Sequence, residues 1–412
     1  MQVVYERCCG LDVHKRTVVA CRTVPESRGQ GRREIRTFGT MTQDLLALVD
    51  WLQEAGVTQV AMESTGVYWW PIYNLLEAQF TVLVVNARHL KAVPGRKTDV
   101  KDAEWIAELL QHGLVRGSFI PDQPQRELRE LTRYRATLVQ ERARVVQRLQ
   151  KVLEETNLKV GSVITDITGV SGRAILGALV AGQTDPASLA QLAKGRLRKK
   201  LPELEQSLVG IVQPHHRFLL VEHLSHLDFM DEAINRVSQE IGERLCPFEA
   251  QVQGLDTIPG VNERIAQVML AEVGTDLSRF PSAHHLASWA GLCPGNQESG
   301  GKRQSGKTRK GSPWLRAALI EAAHGAAKSK GTYLSAQFRR LVSRRGKKKA
   351  LVAVAHSILV IAYHVLTGRG IYQELGGNYF DERERMAVER RLTRRLERLG
   401  YQVTLKPISA TA

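Results

Sequence analysis

Residues 8–24, CCGLDVHKRTVVACRTV, contain two largely apolar runs that are separated by three polar residues. Apolar, partly β-branched runs of this length favour strands, and a polar interruption between them favours a turn. The pattern predicts strands over residues 8–13 and 17–23, joined by a turn at His14-Lys15-Arg16. A third short strand is predicted over residues 34–38, so three strands follow one another directly.

Strands and helices alternate after these three strands. Two further apolar runs have the length of strands, and three stretches place their apolar residues at helical spacing. The predicted strands cover residues 59–62 and 81–85, and the predicted helices cover residues 45–52, 68–77 and 99–110. Three consecutive strands followed by β-α units are the order of an RNase H-like α/β fold.

The middle of the chain contains two stretches in which apolar residues recur every seven positions. The first comprises Leu131, Leu138, Val145 and Val152, and the second Leu220, Leu227, Ile234 and Ile241. Sustained heptads predict an antiparallel or dimeric coiled coil, and two ordinary amphipathic helices of a bundle are the alternative. Residues 158–217, with the basic run Arg196–Lys200, are interpreted as an insertion at the tip of this hairpin.

The third part of the chain is predicted to be mainly helical. Gly260 and Asn262 lie in a turn before an apolar helix, as in a helix-hairpin-helix, where backbone N–H groups can hold a DNA phosphate. A plain pair of helices without a ligand is the alternative. Residues 350–367 are apolar but contain His356 and His364, so we expect a buried core helix and no membrane span.

The charge of the chain indicates a polyanionic partner. The chain has 412 residues, 43% of them hydrophobic, and a net charge of +16, which fits a globular protein with several domains. Residues 296–350 contain 15 basic and 2 acidic side chains. Such a concentration favours contact with nucleic-acid phosphates over a merely solvated surface.

The five cysteines make a zinc site or a disulfide framework improbable on spacing alone. They form no CxxC pair and no Cys/His finger pattern. Residues 1–15 contain charges where a signal peptide needs an apolar run. We therefore expect reduced thiols and a cytoplasmic protein.

Four acidic residues in the first part of the chain are candidates for a metal site. Asp12 lies within a predicted strand, Glu63 ends another, and Asp99 and Asp102 open a helix with i, i+3 spacing. Each acid alone has a structural explanation, since acids favour the first turn of a helix. Together they could bind hard cations, and two Mg²⁺ ions held in this way act on phosphodiesters.

Six stretches in order resemble the DEDD transposases, a family of RNA-guided insertion-sequence recombinases that use a bridge RNA. They are GLDVHK (10–15), MESTGVYWWP (62–71), KTDVKDAEWIAELL (97–110), IPGVNERIA (258–266), LASWAGLCPGNQESG (286–300) and GKTRKGSPWLRAAL (306–319). The resemblance extends over nearly the whole chain, and it is the combination of motifs that makes it specific.

The resemblance implies four regions. They are a RuvC-like (RNase H-like) domain at residues 1–120, a coiled-coil region at 121–250, a transposase domain at 251–380 and a basic C-terminal helix and tail at 381–412. It also implies a composite active site in which one subunit's carboxylates face another subunit's serine, which needs a homodimer or a tetramer.

The resemblance assigns roles to particular residues. The acidic tetrad falls on Asp12, Glu63, Asp99 and Asp102, which would bind Mg²⁺, with Mn²⁺ as a substitute, and the nucleophile falls on Ser299. The side chains expected to contact nucleic acid are Lys302, Arg303, Lys307, Arg309, Lys310 and Arg316. A guide non-coding RNA would then choose donor and target DNA, and the protein would act at the prokaryotic nucleoid.

Two other functions fit the same residues. The first is a RuvC-like nuclease or junction resolvase, in which water attacks the phosphate and Ser299 only contacts DNA. The second is a nucleic-acid-binding protein without catalytic activity, in which the four carboxylates are structural.

Overall fold

The computed structural model describes residues 2–25, 32–86, 90, 102–295 and 297–405. The chain divides into two compact units, Met1–Pro121 and Asp122–Ala412. Each unit is described by itself below.

The first unit is a mixed five-stranded sheet with helices. Its strands are β1 (Cys8–Val13), β2 (Thr17–Val24), β3 (Arg32–Gly39), β4 (Gln59–Glu63) and β5 (Thr81–Val85). Its helices are α1 (Thr42–Glu54), α2 (Trp69–Leu76) and α3 (Asp102–Gln111). The strand order is β3-β2-β1-β4-β5, antiparallel in the first two pairings and parallel in the last two. The predicted α/β character of this region is confirmed, although β3 is longer than expected and the predicted helix start at Asp99 lies outside the described residues.

Alternation along the strands gives the sheet two different faces. Leu11 and Met62 pack with α1 and α2 in one apolar cluster, whereas Cys8 and Ala61 pack with α3 in another. Successive side chains of a strand point to opposite faces. Asp12 therefore shares the α3 face of the sheet with Cys8 and Gly10.

Helix α3 approaches strand β1 at Gly10. A Cβ atom at this glycine would lie 2.3 Å from the backbone nitrogen of Ala107 and 2.4 Å from the carbonyl oxygen of Ala103. Ala103 and Ala107 are completely buried, and their small side chains permit the contact. The absence of a side chain at Gly10 thus fixes how closely α3 lies on the sheet.

The second unit is mostly helical and begins with two long helices. These are α4 (Gln123–Glu155) and α9 (Pro214–Leu245), of 33 and 32 residues. Ion pairs join Glu127 to Arg244 and Arg142 to Asp231, so the two helices are antiparallel within one chain. All four heptad residues of α9 are buried, as are three of the four in α4, so the predicted apolar seam is real.

A small helical subdomain, residues 158–213, connects the far ends of α4 and α9. It contains α5 (Val160–Val163), α6 (Val170–Val180), α7 (Pro186–Ala190), a 3₁₀ helix (Gly195–Lys200) and α8 (Leu201–Ser207). Its buried residues, among them Leu158, Ile175 and Leu204, pack in one cluster with Leu149 of α4 and Leu220 of α9. The subdomain therefore shares a core with the end of the helix pair that is distant from Gln123.

The remainder of the second unit packs around the near end of α4. Its helices are α10 (Glu249–Asp256), α11 (Glu263–Val273), α12 (Ala283–Trp289), α13 (Pro313–Lys328), α14 (Tyr333–Arg345), α15 (Lys347–His364), α16 (Tyr379–Arg383) and α17 (Arg385–Arg398). A short hairpin of β6 (Gln297–Ser299) and β7 (Lys302–Ser305) precedes α13. Residues 365–369 form a π turn after α15.

Helix α15 is the apolar segment for which the sequence predicts a core position. Lys347–Gly368 is long and apolar enough to cross a membrane by length and composition alone. In the structure, however, Val354, Ala355 and Ile358 are completely buried in the core of the second unit, against α13 and neighbouring helices. The helix therefore forms part of the hydrophobic core of this unit.

The contact at Gly10 predicts a specific loss of stability. Gly10→Ala should lower the free energy of unfolding of the first unit by about 1–3 kcal/mol, because the added methyl group overpacks a rigid backbone contact. The measurement is urea unfolding followed by tryptophan fluorescence, since four of the six tryptophans lie in this unit.

A control is available in the second unit. Gly177 lies within α6 and has nothing within 4 Å of an added Cβ atom. Gly177→Ala should be neutral or slightly stabilising, because alanine favours a helix by up to about 1 kcal/mol over glycine. Equal unfolding midpoints for the two variants would show that the sheet accommodates the extra methyl group.

Candidate functional site

Two of the predicted acids lie at the ends of adjacent parallel strands. Leu11 of β1 pairs with Met62 of β4, so Asp12 and Glu63 are the next residues of the two strands. Glu63 shares the α3 face of the sheet with Ala61, by the same alternation that places Asp12 beside Gly10. Both acids are partly exposed. The strand register therefore brings these two carboxylate-bearing residues to one edge of the sheet.

A third predicted acid, Asp102, is the first residue of α3. The next residue, Ala103, contacts the sheet at Gly10, two positions before Asp12. Asp102 therefore lies near the same edge of the sheet. The fourth predicted acid, Asp99, lies outside the described residues.

The chemistry of this acidic edge suits a hard cation. Carboxylate oxygens are the ligands that Mg²⁺ takes from proteins, usually one or two of them together with water and substrate phosphates. Among the residues that the structure describes, no three His, Cys, Asp or Glu side chains are grouped closely enough to hold a metal ion. The described acids thus share an edge of the sheet without forming a closed ligand cage.

His14 is a polar neighbour of this edge that the sequence reasoning did not select. Its Nε2 lies 3.1 Å from Oδ2 of Asp12. Residues two positions apart in a strand point to the same face, so the i, i+2 spacing of Asp12 and His14 was the available signal for this pair. His14 is well placed to orient the Asp12 carboxylate.

Ser299 ends strand β6 of the short hairpin. Ser299 pairs with Lys302 across a tight turn made by Gly300 and Gly301. Both glycines have positive φ, 58° and 73°, as a two-residue hairpin turn of type I′ requires. The Gly-Gly pair therefore closes a hairpin, and the turn itself projects into open space.

The base of this hairpin is held by backbone contacts and one arginine. The N–H of Gly295 donates to the carbonyl of Lys307 at 2.9 Å, and Pro294 bridges Thr308. Nη1 of Arg316 donates to the carbonyl oxygen of Gly291 at 2.6 Å. Arg316, predicted as a nucleic-acid contact, thus also ties α13 to the segment that leads into the hairpin.

The other residues that are predicted to contact nucleic acid lie on β7 and in the segment that follows it. Lys302, Lys307, Arg309 and Lys310 are exposed, whereas the side chain of Arg303 lies outside the described part of the structure. These exposed cations all follow the Gly-Gly turn, on β7 and in the segment that leads to α13. Their contact with nucleic acid stays a prediction.

Gly260 and Asn262 have clear structural tasks in the turn before α11. Gly260 has φ of 88°, and an added Cβ atom would lie 2.1 Å from the carbonyl oxygen of Ala322 in α13. The side chain of Asn262 accepts the N–H of Ile265 at 3.0 Å and caps α11. The turn thus packs closely on α13, and phosphate binding by these two residues stays a prediction.

A buried charged network beneath the hairpin was missed from the sequence. Glu272 at the end of α11 is 1% exposed, and both its oxygens accept hydrogen bonds from Arg133 of α4, at 2.7 and 3.0 Å. Ser312 donates its hydroxyl to Oε2 of Glu272 at 3.0 Å and accepts the N–H of Leu315 as the cap of α13. The network fastens α4, α11 and α13 together where the hairpin segment enters α13.

Two further α4 side chains extend this attachment at helical spacing. Gln125 and Arg129 donate to the carbonyl oxygen of Ala271 at 3.1 and 2.9 Å. Burial lowers the pKa of Arg129 to about 10, partly offset by the nearby Glu272 carboxylate. Gln125, Arg129 and Arg133 recur every four residues, and this period was the available signal for one polar face of α4.

Comparison with known proteins identifies the family. A family described as a transposase of the DEDD, IS110 type matches residues 9–158, and the transposase family IS116/IS110/IS902 matches residues 252–356. The first range contains the four acids, and the second contains Ser299. The chain belongs to the IS110 family of DEDD transposases.

Individual relatives agree with this assignment. The transposase for insertion sequence element IS1111A of Coxiella burnetii is 26% identical over 296 residues, which cover 70% of this chain and 72% of the relative. The IS110 protein of Streptomyces coelicolor is 29% identical over 230 residues, half of this chain and 55% of the relative. The pilin gene-inverting protein of Moraxella bovis is 37% identical over 117 residues, 27% of this chain and 35% of the relative.

The buried network predicts a large effect of a small change. Glu272→Gln should lower the free energy of unfolding of the second unit by about 1–3 kcal/mol, because it removes the buried charge that accepts two hydrogen bonds from Arg133, whose own side chain is 36% exposed to water. Urea unfolding followed by circular dichroism reports this mainly helical unit.

The matched control is an exposed glutamate of the same unit. Glu205 lies on the surface of α8, so Glu205→Gln should change the free energy of unfolding by less than about 0.5 kcal/mol. If Glu272→Gln is as mild as this control, the Arg133 pair contributes nothing to the attachment of α4.

Proposed function

We propose that this protein is an insertion-sequence recombinase that cuts and rejoins DNA through a serine-linked intermediate. The observation that carries the proposal is the common edge of Asp12, Glu63 and Asp102 in a chain of the DEDD transposase family. Acids at the carboxyl ends of neighbouring strands suit metal-assisted phosphoryl transfer, the reaction that a DNA recombinase needs.

The strand order of the first unit supports an RNase H-like, RuvC-like assignment. Three antiparallel strands are followed by two parallel ones, and the acids lie on the central β1 and on its parallel neighbour β4. For the second unit we propose that α4 and α9 form the coiled coil. The proposed domain limits are residues 1–120, 121–250, 251–380 and 381–412.

The four acids are proposed to hold divalent cations, in the first instance Mg²⁺. A bound cation would neutralise charge on the scissile phosphate and favour the deprotonated serine. The Asp12 carboxylate, oriented by His14, would be a central ligand, and Glu63 and Asp102 would approach from either side. Asp99 is assigned to the same set by its match to the family.

Ser299 is proposed as the nucleophile. Its hydroxyl oxygen would attack the scissile phosphorus, the bond to one deoxyribose oxygen would break, and that oxygen would take up a proton. One phosphoester bond is formed for each one broken, so the intermediate keeps the energy needed for rejoining. The rigid Gly-Gly turn beside Ser299 gives a backbone that DNA can approach closely.

The exposed cations around the hairpin are proposed to bind phosphates without reading the base sequence. Target choice would then belong to a guide non-coding RNA, as the family resemblance implies. The similarity to the pilin gene-inverting protein of Moraxella bovis supports rearrangement of DNA as the outcome. A homo-oligomer would assemble two such sets of residues on two DNA duplexes.

The acidic edge can be tested by metal binding alone. Asp12→Asn and Glu63→Gln should each weaken Mn²⁺ binding by about tenfold or more, as expected for groups that hold or orient a metal. Calorimetric titration of the full chain without DNA measures the affinity. Asp50→Asn, an exposed acid on α1, should leave the affinity unchanged, and equal affinities in all three variants would remove the acids from the metal site.

The nucleophile can be tested by trapping an adduct. Wild-type protein on a nicked substrate that prevents rejoining should accumulate a covalent protein–DNA adduct, and Ser299→Ala should form none while binding the same DNA. Ser305→Ala should keep the adduct, with at most a few-fold loss of affinity from one hydrogen bond of about 1 kcal/mol.

Mass spectrometry of the trapped adduct identifies the linked residue. A phosphodiester on any residue other than Ser299 would transfer the nucleophile to that residue. Cleavage without an adduct would instead support the water-attack mechanism of a junction resolvase.

A further inference from the structure

The subdomain at residues 158–213 presents a concentrated basic surface. Five cations occur within seven residues, and all of them are exposed: Lys194, Arg196, Arg198, Lys199 and Lys200. We call these five residues the tip patch. Within the part of the chain that the structure describes, no ion pair involves any member of the tip patch.

The tip patch is built into the folded subdomain. Four of its five residues lie in the 3₁₀ helix Gly195–Lys200, and Leu197 in the middle of this helix packs against the apolar cluster of the subdomain. The N–H of Lys194 donates to the hydroxyl of Ser171 at 2.9 Å, which fixes the start of the patch to α6. The backbone that carries the cations is therefore already ordered, so little backbone conformational entropy is lost when they bind.

A groove adjoins the tip patch and suits an anion. Its volume is about 520 Å³, and it is lined by residues 163–166, 169–171, 194–197 and Lys200. The first turn of α6, an 11-residue helix, opens onto it with the positive end of its dipole. The acid within the lining, Asp166, accepts the N–H and hydroxyl of Thr168 at 2.9 and 2.7 Å. Its charge is thus engaged locally, which weakens its repulsion of a phosphate.

The composition of the subdomain distinguishes between kinds of nucleic acid. Residues 158–214 contain no Phe, Tyr, Trp or His. Binding of single strands relies on aromatic side chains on which bases stack, whereas binding of a duplex without sequence preference relies on cations that contact phosphates. The surface therefore fits the backbone of a duplex.

The length of α4 sets the distance between the subdomain and the attached end of the helix pair. Arg133 marks the attached end of α4, and Glu155 marks its last turn before the subdomain. At 1.5 Å per residue these positions lie about 33 Å apart. This is the length of about ten base pairs at about 3.4 Å each.

We propose that the tip patch is a second DNA-binding surface, which holds the phosphate backbone of duplex DNA about ten base pairs from the attached end of α4. DNA is the partner on which transposases act, and a duplex that passes the hairpin continues beyond it. The subdomain lies between the two family matches at residues 9–158 and 252–356, so it adds a contact that the matched regions do not contain. The proposal rests on the proposed function only for the choice of DNA.

The test compares two variants of the full chain that lose the same charge. In the tip variant, all five residues of the tip patch are changed to Gln. In the control variant, five exposed arginines of α17 are changed to Gln: Arg390, Arg391, Arg394, Arg395 and Arg398. Binding to a 45-bp DNA duplex and to a 45-bp RNA duplex is measured in EDTA over a range of salt concentrations, so that no cleavage occurs.

The tip variant should bind the DNA duplex at least tenfold more weakly, and the slope of log affinity against log salt should fall by about 3–5 as phosphate contacts are lost. The control variant should change the slope by less than one. Equal losses in the two variants would show a general charge effect and overturn the proposal, as would a loss that is confined to the RNA duplex.

Two further measurements keep the outcome interpretable. If the tip variant melts at a much lower temperature than wild type, the single changes Arg198→Gln and Lys199→Gln replace it, and each should reduce the slope by about 0.9. Adduct formation by wild-type protein is assayed separately. If wild-type protein forms no adduct but the tip variant binds DNA more weakly as expected, only the serine mechanism is rejected. If the adduct forms but the tip variant binds DNA as wild type does, only the tip patch is rejected.

Discussion

The contact between α3 and Gly10 of β1 is the constraint on which the acidic edge depends. Because a Cβ atom there would lie 2.3 Å from the backbone of Ala107, the helix can lie on the sheet only when position 10 has no side chain. The same contact determines how α3 lies against β1, and hence where Asp102, the neighbour of Ala103, lies relative to Asp12. A glycine with no chemical role of its own therefore controls the placement of carboxylates two residues away on the strand and one residue before the contact on the helix.

The second unit holds a strongly cationic segment in a defined conformation. Like charges repel one another, so a backbone that keeps them close needs attachments that hold it against this repulsion. Here the attachments are backbone pairs at the base of the β6–β7 hairpin and the buried Glu272, whose charge is balanced by Arg133 of α4. Exposed cations such as Lys302 and Arg309 are thereby left at the surface of this segment.

Periodic patterns were readable from the sequence, and contacts between distant segments were not. Apolar runs gave β1 and β2, and the heptads gave the buried seam from Leu138 to Val152 and from Leu220 to Ile241. The hairpin at Ser299 was missed because three-residue and four-residue strands leave almost no period to detect. The Glu272 network was missed because its partners, Arg133 and Ser312, are far apart in sequence, and nothing local in a glutamate reveals that it will be buried. Gly260 was read as a phosphate-binding turn, whereas its close approach to α13 already requires glycine there.

The two cationic surfaces of the second unit differ in construction, and that difference has a physical meaning. The hairpin carries its cations after a Gly-Gly turn, at which an added Cβ atom would have nothing within 4 Å. The tip patch carries four of its five cations on a 3₁₀ helix that is anchored by Leu197. The subdomain contains no aromatic side chain and none of the four acids of the tetrad. If the tip patch binds DNA as proposed, its cations would contribute the same affinity before and after a strand is cut. Such uniform binding would not accelerate the chemical step, but it would hold a cut duplex in place until the strands are rejoined.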